Sequence, residues 1–71
     1  MFSIICDDMI INYDTVQQLS MTEDGNMYVD YGDTYIEVTG VAPNVLGTIA
    51  KALASNTTFV ELDGAHAAEE S

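Results

Sequence analysis

The chain has 71 residues, with twelve acidic side chains against one lysine, no arginine and one histidine, for a net charge of −11. That length bounds one domain, and the single cysteine, Cys6, excludes an internal disulfide and leaves no metal-ligand pattern. The charge excludes DNA, RNA and anionic lipid as direct ligands, because their phosphates would be repelled.

Apolar residues make up 48% of the chain, enough for a folded core and far more than a disordered acidic tail carries. A chain this short buries only about 60% of its unfolded surface. Either the small core suffices, or a second copy or a partner completes it. The run Met1 to Cys6 has no basic residue ahead of it and is too short for a signal peptide or a membrane span. The expected compartment is the cytoplasm, that of a host cell if the gene belongs to a phage.

In chain order, the isoleucine-rich segment Phe2 to Tyr13 reads as strand, either continuous or folded into a hairpin at Asp7-Asp8. Leu19 and Met21 then alternate with Gln18, Ser20 and Thr22. Met27, Val29 and Tyr31 alternate with Tyr28 and Asp30, and Ile36 and Val38 with Tyr35 and Glu37. This period of two marks strands with one buried face. Gly32-Asp33 fits a two-residue turn that sets Tyr31 opposite Thr34, Val29 opposite Ile36 and Met27 opposite Val38. A loop at Asp24-Gly25-Asn26 would set Met21 opposite Val29 and Leu19 opposite Tyr31. Pro43 suits a first helical position. Val45, Leu46, Ile49, Ala50 and Leu53 follow at helical spacing, and Asn56 can end the helix. Thr57 to Leu62 predicts a last strand. The expected fold is α+β: an antiparallel sheet of four to five strands with one helix packed on one face, in the order β-β-β-β-α-β. The domain spans residues 1–63, with 64–71 a flexible C-terminal tail.

The predicted register puts Tyr28 opposite Glu37 and Asp30 opposite Tyr35 on the face away from the helix, where Phe59 and Glu61 are candidates to join them. Tyrosines among carboxylates suit a protein interface; the plainer reading is a cross-strand tyrosine pair that stabilises an exposed sheet. The acids Asp7, Asp8, Asp14, Glu23, Asp24, Asp30, Asp33 and Glu37 all precede the helix, so the negative field concentrates on the sheet and its loops. With Tyr28 and Tyr35 they form the candidate partner-binding set. A net charge of −11 exceeds the magnitude of about 2–8 that keeps a small domain soluble. A basic partner explains the excess. So does adaptation to an acidic proteome.

Other chemistries find little footing. The stretch from Asp24 lacks the third ligand and the sixth-position glycine of a calcium loop. Cys6 lies in an apolar run beside Asp7 and Asp8, which disfavour its thiolate, and His66 stands alone. No phosphate loop or nucleophile elbow is present. No cofactor, no metal and no catalysis are expected.

In size, acidity and lack of catalytic groups the chain resembles, in type alone, the small inhibitors that phages and mobile elements encode: anti-CRISPR, anti-restriction and glycosylase-inhibitor proteins. No residue is carried over from them. The resemblance implies an inhibitor or nucleic-acid mimic that binds a basic, nucleic-acid-handling protein. The alternative is a small structural or assembly protein that forms a homodimer or docks through its sheet.

Overall fold

The computed structural model describes residues 1–68; residues 69–71 of the expected tail lie outside the described residues. The elements are β1 (Ser3–Ile5), β2 (Ile10–Asn12), a 3-10 turn (Tyr13–Thr15), β3 (Gln18–Met21), β4 (Met27–Asp30), β5 (Tyr35–Thr39), α1 (Val45–Ala54), β6 (Phe59–Glu61) and β7 (His66–Ala67). The class is α+β. The strands divide into two sheets instead of forming one: a three-stranded sheet in the order β2-β1-β6, and a four-stranded sheet in the order β3-β4-β5-β7.

The first segment is a hairpin. Ile4 pairs with Ile11, and the Cys6 N–H donates to the Met9 carbonyl at 2.8 Å across the Asp7-Asp8 turn. Neither aspartate has a positive φ, so this is not one of the primed turns usual in tight hairpins. Tertiary bonds hold it. The Asp7 N–H donates to Ala65 O at 2.7 Å. The Asp7 carboxylate accepts from Gly64 N–H at 3.1 Å, and that of Asp8 from Ala67 N–H at 3.3 Å.

The β4–β5 register is the expected one, with Met27 opposite Val38 and Val29 opposite Ile36. Gly32 supplies the positive φ, +98°, that the first position of its two-residue turn needs. The β3–β4 register differs from expectation by two residues: Met21 faces Met27 and Leu19 faces Val29. The loop is Glu23-Asp24-Gly25, closed by Thr22 N–H to Asn26 O at 2.8 Å. Gly25 holds the left-handed backbone of this loop, at φ +86°. A slip of two preserves side-chain parity, so the buried faces match the expectation.

The helix starts at Val45, with Pro43 in the preceding turn, and ends where Asn56 turns left-handed at φ 65°. Val45 and Ile49 are buried and Leu46 is half-buried, but Ala50 and Leu53, expected in the stripe, are exposed. Ala52 packs inward instead, because α1 sits against both β3 and β6 and is not centred on one sheet.

After the helix the chain returns to β1. Val60 pairs in parallel with Ile4, so β6 belongs to the first sheet. Residues 64–68, expected as the start of a tail, cross instead to the other sheet. Ala67 pairs with Val38, His66 with Thr39, and Ala65 is fully buried. One core results. Phe2, Ile4, Cys6 and Ile11 from the first hairpin meet Met27, Val29 and Val38 from the second sheet, closed by Val45, Ile49 and Ala65. Burying each of the larger aliphatic side chains contributes about 1.5–3 kcal/mol.

Candidate protein-binding face

Alternation along β4 and β5 sends Met27, Val29 and Val38 inward and turns Tyr28, Asp30, Tyr35 and Glu37 to the opposite face. Tyr28 pairs directly with Glu37, and Asp30 with Tyr35. The two tyrosine rings meet across the diagonal and stack, with centroids 4.7 Å apart and planes 20° from parallel. Such a pair is worth about 0.5–1.5 kcal/mol beyond its buried area.

The two flanking carboxylates are positioned. Asn26 Nδ2 donates to Glu37 Oε2 at 2.6 Å. The Gly32 N–H donates to Asp30 Oδ1 at 2.8 Å, tying that side chain to the turn. A carboxylate has about four lone-pair sites, so each retains acceptor capacity for a partner. Desolvation, then the Tyr35 hydroxyl and the charges of Asp30 and Glu37, push the Tyr28 hydroxyl above its ordinary 10.0. Tyr28 therefore stays neutral at physiological pH. A planar cation can lie against a tyrosine ring while pairing with a neighbouring carboxylate, an arrangement that suits guanidinium better than ammonium.

The remaining predicted residues fall at the two ends of this sheet. Asp33 lies in the β4–β5 turn, and Asp14 in the 3-10 turn leading to Gln17, whose N–H donates to Asp30 O at 2.8 Å. At the opposite end, Glu23 and Asp24 form the β3–β4 turn, while Asp7 and Asp8 bond the backbone beside β7. The structure thus gathers Tyr28, Asp30, Tyr35 and Glu37 on one face and gives Asp7 and Asp8 a structural task. Phe59 and Glu61 do not join that face, because β6 belongs to the other sheet.

The sequence pattern gave no sign that Asn26 orients Glu37, nor that His66, expected in the tail, faces outward opposite Thr39 with Nδ1 at 3.0 Å from Gly64 O. The alternation of Ala65, His66 and Ala67 is too short to signal a strand. Among the described residues, no three His, Cys, Asp or Glu side chains gather as a metal site, and no helix is long and apolar enough to cross a membrane. Comparison with protein-family models, with curated proteins and with solved structures found no match.

Proposed function

We propose that the chain is a non-catalytic binding protein that docks onto a basic, nucleic-acid-handling protein through the outer face of β4 and β5, in the manner of a small acidic inhibitor or nucleic-acid mimic. The observation that carries this reading is the Tyr28–Tyr35 stack with Asp30 and Glu37 fixed beside it, on a chain of net charge −11. The stack offers rigid contact area, and the carboxylates offer acceptors for arginine or lysine. Acids at both ends of the sheet extend the negative field that draws a cationic partner in.

The test is affinity capture of basic proteins from a host lysate, with elution by salt and by duplex DNA in parallel, followed by titration of the captured protein. Asp30→Asn and Glu37→Gln each keep an acceptor oxygen for the internal hydrogen bond while removing charge. The double variant is expected to bind about tenfold more weakly or worse at low salt, while Asn44→Ala on the helix side leaves affinity unchanged. Full affinity in the double variant, or a captured protein that DNA does not displace, overturns the reading.

A further inference from the structure

The outer face of the other sheet has the opposite character. Inward alternation of Ile4, Ile11 and Val60 turns Ser3, Ile5, Ile10, Asn12, Phe59 and Glu61 outward. With Met1 and Thr58, most of these side chains line an open groove of about 500 Å³. Met1, Ile10 and Phe59 are 89%, 68% and 46% exposed. For side chains on the order of 200 Å² each, that leaves roughly 400 Å² of apolar surface on one face. Among the residues of β1, β2 and β6, Glu61 at the end of β6 is the only acid, in a chain with twelve.

We infer that a second copy of this chain docks on this face, giving a two-fold dimer built on the β2-β1-β6 sheets. Two arguments select that occupant. The first is charge. Two chains of −11 repel one another wherever their carboxylates meet, and this face, whose one strand acid, Glu61, stands at the corner beside Ile5 on the edge strand, is where they can approach with the fewest opposing carboxylates. In a two-fold interface a patch meets itself, so the uncharged groove lining at the centre of this face is its own complement, with Glu61 left at the corner. A cationic partner would find no anion in the groove lining. The second is area. A stable interface covers about 800 Å² per copy, a little over half of it apolar, and the exposed Met1, Ile10 and Phe59 supply an apolar centre of that order. The dimer leaves the Tyr28–Tyr35 face on the other sheet free, so this inference does not rest on the binding reading above.

The test is sedimentation equilibrium of the full chain across micromolar concentrations at low and high salt. The expected result is a species of twice the 7.7 kDa chain mass whose population grows with salt, because screening relieves the mutual repulsion. Binding of a basic partner to the carboxylate face has the opposite salt dependence. Ile10→Glu is expected to weaken association at least tenfold, and Ile10→Thr to do so more mildly. Both substitutions point to solvent, and circular dichroism checks that the variants stay folded. Tyr35→Thr on the other sheet leaves association unchanged. A monomer at every concentration in high salt overturns the inference, as does a dimer that Ile10→Glu leaves intact. A monomer that binds an apolar dye in the groove, with binding lost in Ile10→Glu, overturns it in favour of a small apolar ligand.

Discussion

Gly25 and Gly40 both hold left-handed backbone, at φ +86° and +78°, yet they answer differently to the same substitution. A Cβ on Gly25 meets open space, whereas one on Gly40 runs into the carbonyl oxygen of Gly64. Gly25→Ala therefore carries only the backbone penalty, about 1 kcal/mol. Gly40→Ala adds a backbone collision and is expected to cost about 3 kcal/mol or more. Urea unfolding of the two variants checks the difference. Cys6 gives a second residue-scale prediction. Burial first, then the charges of Asp8 and Asp7, hold its thiol above the ordinary 9.0. Burial and then Cys6 hold the Tyr31 hydroxyl above 10.0. Above about pH 9 the unfolded chain releases a proton that the folded chain keeps, so the unfolded state gains from rising pH and the folded state does not. Stability is expected to be intact below about pH 9 and to fall as pH rises towards the folded-state pKa. The urea midpoint measured against pH checks this, and Cys6→Val should remove the onset of the decline.

At the scale of elements, the carboxylates of Asp7 and Asp8 join pieces of chain far apart in sequence. They accept from Gly64 and Ala67, across separations of 57 and 59 residues, and so dock β7 against the first hairpin. Asp8→Ala removes an acceptor from a two-residue strand and is expected to cost about 1 kcal/mol, which speeds exchange of the Ala67 amide about fivefold. Amide exchange followed residue by residue measures it, and the Val29 amide in central β4 serves as the unaffected reference. The hairpins also show what local sequence specifies. Gly32-Asp33 permits one tight turn, and its register follows from counting. Glu23 to Asn26 offers two places for a three-residue loop with the same side-chain parity, so patterning alone could not choose. Placing Met21 against Met27 with Gly25 in the left-handed position settles it, because glycine takes that conformation without the penalty asparagine carries.

Across the whole molecule, twelve acids against one lysine leave a charge of −11, and their mutual repulsion outweighs any attraction between charged side chains. Added salt screens it over a Debye length of about 10 Å at 0.1 M and about 3 Å at 1 M. The melting temperature is therefore expected to rise by about 5 °C between low and roughly 0.5 M salt, the size of shift that about 1 kcal/mol produces in so small a domain. A thermal melt at several salt concentrations checks the sign, which is opposite to that expected for a domain held by exposed ion pairs. The same charge divides the surface into a carboxylate-rich tyrosine face and an apolar face nearly free of acids. Each suits a different kind of contact.

Local patterning was enough to read the α+β class, the helix and its end at Asn56, the buried parity of every long strand, and the Tyr28–Glu37 and Asp30–Tyr35 pairings at the centre of the candidate site. These follow from period, turn chemistry and short-range register, which act between neighbours along the chain. Long-range packing divides the strands into two sheets, pairs β6 in parallel with β1, and makes Ala65 to Ala67 core and strand instead of tail. It also decided that Asn26 orients Glu37, that Asp7 and Asp8 anchor β7, and that Ile10 and Phe59 share an exposed face. The physical reason is common to all of these. Each depends on a contact between distant segments, and a strand of two or three residues carries too little periodicity to announce its partner before the core brings the two together.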